Sequence, residues 1–189
     1  MNNKSVISLK MLIASVIGTA LCAFLFKITP ISAADGLVSI SLGHGIAAFC
    51  AIAFGPLCGI ITAAGGMAAS QFLNGATTIN LAPIIASGIA AAFAGMNFFE
   101  HHAERGLLKK GDLLNFIINT AIGNGIAWIG VEPITNVIIN KTGFDVASLT
   151  SNIPVAVANG LTAIVVGAIL LYFYAMMNMG IGRKTRVKK

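Results

Sequence analysis

Charged residues are scarce in this chain. Asp, Glu, Lys and Arg make up 10% of the 189 residues, against about 25% in soluble globular domains. Four long stretches contain none of them: Met11–Phe26, Gly36–Phe99, Leu113–Val131 and Val146–Gly182. A helical crossing of a bilayer takes about 20 apolar residues, and together these stretches are long enough for several crossings. The scarcity of charge therefore excludes an ordinary soluble domain and predicts an integral membrane protein.

Reactive groups are scarce as well. The chain has 3 cysteines, Cys22, Cys50 and Cys58, whose spacing matches no metal site, so we interpret them as small buried apolar residues. The sequence contains no HExxH motif, no phosphate-binding loop and no Ser-His-Asp arrangement. We therefore expect no enzyme, no metal centre and no resident cofactor.

The basic residues are unevenly placed. The net charge is +6, but a large share of the 12 Lys and Arg residues lies in Arg183–Lys189, with no aromatic residues between them. Such a cluster beside a membrane segment is typical of contact with anionic lipid. Nucleic-acid binding would require groove-reading or base-stacking residues, and the chain shows no such pattern.

The apolar runs are continuous rather than alternating, which favours helices over a β-barrel. Pro30, the pair Gly55 and Pro56, and the pair Asn74 and Gly75 mark breaks between helices. We expect a single all-α membrane domain over residues 1–189. Its six transmembrane helices lie at about 8–28, 41–54, 57–73, 81–99, 113–139 and 153–179, joined by a linker at 31–40 and polar loops at 100–112 and 140–152, and followed by a basic tail at 181–189.

The second and third of these helices are short for full crossings. An alternative joins residues 43–72 into one kinked crossing. We prefer two helices, because glycine followed by proline is a turn signal.

The orientation follows from the basic residues. With six crossings and both termini in the cytoplasm, only Lys27 and Lys141 of the 12 basic residues fall on the outer side. Positive charge concentrates on the cytoplasmic side of membrane proteins. We therefore expect a multi-pass protein of the plasma membrane with cytoplasmic N- and C-termini.

The fifth predicted helix carries the most informative polar residues. Asn124, Trp128 and Glu132 are spaced four residues apart and share one helical face. A buried amide can simply pair with another helix, and a lone tryptophan can belong to an interfacial belt. An aromatic ring between an amide and a carboxylate is also typical of a small-molecule pocket, and we predict that this face contacts a ligand.

Further polar residues fall on the predicted outer side of the same domain. This group predicts the capture of a solute from outside the cell, although a single histidine near an interface is often only solvated or paired with a neighbouring helix. The candidates are Asp35, His44, Gln71, Asn74, Asn80 and Asn159.

The first predicted helix carries small residues at four-residue spacing: Ala14, Gly18 and Cys22. Small residues let helix backbones approach closely, either inside the protein or against a partner. Because this helix is terminal, we predict that the strip faces outward as a docking surface.

Four short segments together carry a resemblance to a known family, over about Gly43 to Tyr174. The sequence resembles the S components of energy-coupling factor (ECF) vitamin transporters, and within them the riboflavin-type branch. The segments are Phe54, Gly55 and Pro56 with Gly59; Ile85 to Ile89; Asn124 to Trp128 with Pro133; and Ala158 to Thr162.

The resemblance implies a binding subunit that hydrolyses nothing itself. S components capture a vitamin at the outer face and dock on a transmembrane T component that carries two ATPase subunits, which drive uptake. The docking strip of the family would map to Ala14, Gly18 and Cys22. A small self-sufficient carrier or an oligomeric channel is the alternative, and a membrane enzyme is a third class. The substrate stays open between a flavin, a thiamine-type pyrimidine, another vitamin and a tetrapyrrole.

Overall fold

The computed structural model describes residues 8–29, 31–33, 38–96, 108–141, 143 and 146–186. Within them the chain forms α1 (Leu9–Ile28), β1 (Ile31–Ala33), β2 (Val38–Ile40), α2 (Gly43–Phe54), α3 (Pro56–Leu73), α4 (Leu81–Ala94), α5 (Lys110–Asn124), a π-helix (Gly125–Val131), α6 (Glu132–Asn140), α7 (Val146–Ser151) and α8 (Ile153–Arg186). The segment from α5 through the π-helix to α6 is one continuous helix, and α7 adjoins α8 at Asn152.

The described residues thus form six helical segments, the predicted number, while six full membrane crossings stay a prediction. Four segments are long and apolar enough to cross a membrane: α1, α3, the helix Lys110–Asn140 and the helix Val146–Asn178. The two shorter segments are α2 with 12 residues and α4 with 14 residues. The expectation that the third helix is short was wrong, because α3 has 18 residues.

The connections differ from the predicted ones. The linker 31–40 contains β1 and β2, which pair antiparallel with Ile31 opposite Ile40. The predicted polar loop 140–152 contains α7. Helix α4 ends at Ala94 instead of continuing to residue 99, and Gly95 is its C-cap. Gly95 lies so close to α2 that a Cβ atom there would be 2.7 Å from the carbonyl oxygen of Ala51.

The last helix is longer than predicted. It runs to Arg186 instead of ending near residue 179, so part of the predicted tail is helical.

Helices α2 and α3 form a tight helical hairpin. Gly55, at φ 105°, has a backbone conformation that side chains disfavour, and it breaks the helix between them. A Cβ atom at Gly59 would be 2.3 Å from Cβ of Ala51, so the two helices pack directly against each other. The alternative of one kinked crossing over residues 43–72 is therefore wrong.

The bundle has large apolar residues outside and small ones inside, as expected for a protein surrounded by lipid. Helix α1 packs against α2 and α3, α2 against α8, and α4 against α5 and the π-helix. The core consists mainly of alanine, with Phe116, Ile52 and Leu171 as the largest fully buried apolar side chains. Exposed residues on three helices include Val16, Ile17, Ile118, Ile122, Val157, Leu161 and Val165.

The end of the bundle that carries the paired strands β1 and β2 is closed by hydrogen bonds. We call it the hairpin end, after this β-hairpin; the Gly55 turn between α2 and α3 lies at the other end of α2. The hydroxyls of Thr29 and Ser41 lie 3.2 Å apart, and Oγ of Ser41 donates to the carbonyl of Leu25 at 3.2 Å. Nζ of Lys27 donates to the carbonyl of Leu73 at 2.9 Å. These bonds join the last turn of α1 to the start of α2 and the end of α3.

The crossing of α2 and α8 gives a test of this packing. A Cβ atom at Gly45 would lie 2.3 Å from Cβ of Val166, so we expect Gly45→Ala to push the two helices apart. The free energy of unfolding should fall by about 1–3 kcal/mol, as measured by denaturant titration in detergent. The control is Gly111→Ala, where nothing lies within 4 Å of the added atom. Equal stability of the two variants would show that the crossing is loose.

Candidate functional site

The helix that carries Trp128 is wound more widely than an α-helix. Over Gly125–Val131 it forms a π-helix, and the N–H of Glu132 bonds to the carbonyl of Ala127, five residues back. Pro133 has no N–H to offer to the carbonyl of Ile129, which favours the wider winding just before it. π-helical turns are rare, and they are frequently found at functional sites.

Trp128 and Asn124 are linked by their side chains. Nε1 of Trp128 donates to Oδ1 of Asn124 at 3.1 Å, and Nδ2 of Asn124 donates to the carbonyl of Thr120 at 2.9 Å. Both side chains are almost completely buried, with 4% and 3% of their surface exposed. This burial rules out the interpretation of Trp128 as an interfacial belt residue.

His44 completes an aromatic cluster above Asn124. Its ring lies edge-on to the ring of Trp128, with centroids 5.6 Å apart, and edge-on to the ring of Phe26, with centroids 4.8 Å apart. Edge-to-face pairs at such distances are favourable. The first turn of α2, the end of α1 and the π-helix thus meet at the hairpin end of the bundle.

A small cavity lies in the bundle beside this cluster. Its polar wall consists of His44, Ser87, Thr120 and Asn124, and its volume is about 10 Å³. That is room for about one water molecule, whereas pockets for drug-sized ligands measure roughly 300–1,000 Å³. The remaining wall is formed by Ala47, Ala48, Ala90, Ala91, Ala94 and Ala163.

Two buried polar atoms at this site have no hydrogen-bond partner among the described residues: Oγ1 of Thr120 and Oδ1 of Asn159. Thr120 lines the cavity. Asn159 lies on the same face of α8 as Ala156, which packs with Trp128, and Ala163, which lines the cavity. An unpaired buried polar atom is costly, so the unpaired hydroxyl of Thr120 in its wall makes this cavity the candidate binding site.

Glu132 lies at the edge of the cluster and is half-buried. Its Oε2 accepts a hydrogen bond from Nδ2 of Asn152 at 2.9 Å. The same nitrogen donates to the carbonyl of Trp128 at 2.9 Å. One residue of the predicted ligand-binding face, Glu132, therefore bonds to the turn between α7 and α8, and Asn124 and Trp128 remain beside the cavity.

The turn between α3 and α4 holds three other predicted residues. Nε2 of Gln71 donates to the carbonyl of Asn80, and Oε1 of Gln71 accepts from the backbone N–H of Asn80. Asn80 also caps α4, and Asn74 is exposed at the end of α3. None of the three lines the cavity beside His44. Asp35 lies outside the described residues.

The predicted docking strip does not face outward as a whole. Cys22 is fully buried, and its Sγ donates to the carbonyl of Gly43 at 3.3 Å. A Cβ atom at Gly18 would lie 2.9 Å from Sγ of Cys50, so this glycine serves the contact of α1 with α2 and α3. The prediction of an outward strip was wrong for Cys22 because the small residues are used for packing inside the bundle.

Ala14 has a different position. It is half-buried and lines an open apolar groove of about 410 Å³ together with Ile13, Ile17 and Phe49. Gly18 lies in the same groove.

Four site residues were missed by the sequence reading: Phe26, Ser87, Thr120 and Asn152. Thr120 lies one turn before Asn124 on the polar face of the same helix, and this spacing could have revealed it. Asn152 was assigned to a polar loop. Phe26 is one of many apolar residues in α1, and no local signal distinguishes it.

Comparison with known proteins identifies the family. The profile described as "ECF-type riboflavin transporter, S component" matches residues 6–176. A UPF0397 protein of Lactobacillus johnsonii is 26% identical over 100% of this chain and 97% of its own length. A UPF0397 protein of Lactobacillus acidophilus is 28% identical over 100% of this chain and 96% of its own length.

Among solved structures, ThiT from Listeria monocytogenes has a similar fold. The TM-score is 0.60 at 21% sequence identity, covering 87% of this chain and 94% of that one. The likeness supports the six-helix architecture. With the profile match over most of its length, the chain belongs to the family of ECF-type riboflavin transporter S components.

Proposed function

We propose that this protein is the substrate-binding subunit of an ATP-driven importer and captures a vitamin or related micronutrient at the external face of the cell membrane. The family is one of transporter subunits, not of enzymes. The observation that carries the proposal is the cavity with the unpaired hydroxyl of Thr120, beside the joined side chains of Asn124 and Trp128.

The chemistry of the site favours a mostly neutral ligand with an aromatic ring system. Asp, Glu, Lys and Arg are absent from the described cavity wall. His44, Trp128 and Phe26 offer ring surfaces, and Asn124 and Asn159 offer amide donors and acceptors. The family description names riboflavin, which makes riboflavin the first ligand to test; a thiamine-type pyrimidine, another vitamin and a tetrapyrrole are the alternatives.

The cavity must enlarge to admit such a ring system, because its volume of about 10 Å³ holds about one water molecule. The alanine wall leaves the helices close together, and Trp128 packs with His44 on the side of the hairpin end. We propose that ligand entry moves this aromatic pair and the neighbouring connections, and that the structure represents a closed state.

Orientation and partners complete the proposal. The distribution of Lys and Arg supports cytoplasmic termini, which places the hairpin end outside. The expected partners are an ECF T component and two ATPase subunits. The docking face is the groove of α1 at Ala14, bordered by the exposed side chains of Ile13 and Ile17.

The direct test is mass spectrometry of small molecules released by denaturing the purified protein. A near-stoichiometric vitamin would establish a binding subunit and name its ligand. If the protein carries nothing and binds neither riboflavin nor thiamine nor haem in equilibrium dialysis, the capture of a vitamin-like solute is refuted for these classes.

Removal of the central ring should weaken binding strongly. We expect Trp128→Ala to weaken the free energy of riboflavin binding by about 2–4 kcal/mol, which raises the Kd roughly 30- to 1,000-fold, since a buried tryptophan is typically a binding hot spot. Asn124→Ala should act in the same direction by removing the amide that orients the indole. Phe173→Ala serves as the control, because Phe173 is 56% exposed on the outside of the bundle. Equal dissociation constants for all three variants, measured by isothermal titration calorimetry, would disprove this site.

The unpaired hydroxyl of Thr120 allows function to be separated from stability. Thr120→Val removes a buried group without a partner, so the free energy of unfolding should stay constant or rise by up to about 1 kcal/mol. Ligand affinity should nevertheless fall. In the control, Thr162→Val removes a hydroxyl that donates to the carbonyl of Ala158 at 2.8 Å.

We expect this control variant to lose about 1 kcal/mol of stability and to retain its affinity. Denaturant titration and binding titration of both variants check the pattern. A loss of stability in Thr120→Val with unchanged affinity would assign the hydroxyl a structural role.

Partner assembly can be tested at the groove. Ala14→Trp fills it, and we expect recovery of the complex with the T component and ATPase subunits to fall on the order of tenfold, which equals about 1.4 kcal/mol. Val16→Trp is the control, since Val16 is 64% exposed and outside the groove. Co-purification after co-expression measures the effect. Gly18→Leu is unsuitable, because it would disrupt the bundle itself.

A further inference from the structure

The carbonyl group of Trp128 lacks its ordinary helical partner. In an α-helix it would accept from the N–H of Glu132, but that N–H bonds to Ala127. In a π-helix it would accept from residue 133, which is a proline without an N–H. Both backbone donors that could satisfy this carbonyl are therefore excluded by the local structure.

Asn152 supplies the missing donor. Its Nδ2 lies 2.9 Å from the carbonyl oxygen of Trp128 and 2.9 Å from Oε2 of Glu132. An amide nitrogen carries two hydrogens, and these two acceptors use both of them. We refer to these two hydrogen bonds as the Asn152 clamp.

The clamp and Asn124 hold the same residue from two sides. Asn152 fixes the backbone of Trp128, and Asn124 accepts from its indole nitrogen at 3.1 Å. The clamp also joins the π-helix to the turn from which α8 starts, because the N–H of Ala156 bonds to the carbonyl of Asn152. Ala156 in turn packs with Trp128.

We propose that Asn152 is a positioning residue for the ligand site: through the clamp it sets the place of the Trp128 ring beside the cavity and couples that ring to the turn between α7 and α8. This inference rests on the proposed binding function. Asn152 acts through Trp128 and has no ligand contact of its own in this scheme. Release of the clamp is then the step that lets the ring move when the cavity enlarges.

The single tryptophan of the chain makes the clamp measurable without any ligand. In the purified full-length protein, we expect Asn152→Ala to shift the emission maximum of Trp128 to longer wavelength and to increase its quenching by acrylamide. The matched control is Asn140→Ala, since Asn140 is exposed at the end of α6 and its Nδ2 donates to Oδ1 of Asn136. Emission of this control should equal that of the unmodified protein.

A second pair of variants keeps the test decisive if Asn152→Ala folds poorly. Glu132→Gln retains an acceptor for Nδ2 of Asn152 and should preserve the emission of Trp128. Glu132→Leu removes that acceptor and should shift the emission partway. The same fluorescence in all of these variants as in the unmodified protein would overturn the clamp.

Titration with riboflavin then shows whether Asn152 positions Trp128 for ligand binding or only contributes to helix packing. We expect Asn152→Ala to raise the Kd for riboflavin about tenfold, while Asn140→Ala leaves it unchanged. A shifted emission with an unchanged Kd would overturn the positioning role. Riboflavin binding by the unmodified protein tests the proposed function alone: its failure would remove the first candidate ligand, while the fluorescence of Asn152→Ala would still decide whether the clamp holds Trp128.

Discussion

Close approach of helix backbones is the constraint on which the structure depends. Lipid offers no hydrophobic drive for helices to associate, so they are held by packing and by hydrogen bonds at short range. Glycine and alanine allow this close approach. At three glycines, one added carbon would lie within 2.3 Å of a neighbouring side chain: Gly45 against Val166, Gly59 against Ala51 and Gly123 against Phe93. The polar cluster depends on this tightness, because Asn124 and Trp128 stay buried only while the surrounding helices remain in contact.

The helical membrane fold could be predicted from the sequence, because a bilayer allows few kinds of spanning structure. Long runs without charge predict membrane segments, and Gly55 with Pro56 marks a break that the structure places at the same point. Short-range signals also placed Asn124 and Trp128 on one buried face. The sequence does not show which helices pack together: small residues such as Gly18 and Cys22 suit an internal and an external contact equally. Only the positions of α2 and α3 show that both residues pack inside the bundle.

The π-helix shows a second kind of limit. Pro133, which removes a backbone donor, is visible in the sequence, but the wider turn itself is shown by the bond from the N–H of Glu132 to the carbonyl of Ala127. The carbonyl of Trp128 bonds instead to the side chain of Asn152, 24 residues away. The sequence alone does not indicate that an asparagine in a predicted loop bonds to a helix carbonyl so far away. The interpretation of 140–152 as a plain polar connection failed for this reason, and it also concealed α7.

The wall of the cavity has a consequence for the range of molecules that such a scaffold can accept. Six alanines form most of it, so the wall consists of methyl groups standing directly on helix backbones. Substitution to glycine or serine alters the available space by a single heavy atom, and no long side chain needs to be rearranged. In the proposed binding site, selectivity among ring systems of similar shape can therefore drift in small increments during evolution, while the tryptophan and its amide partner stay in place.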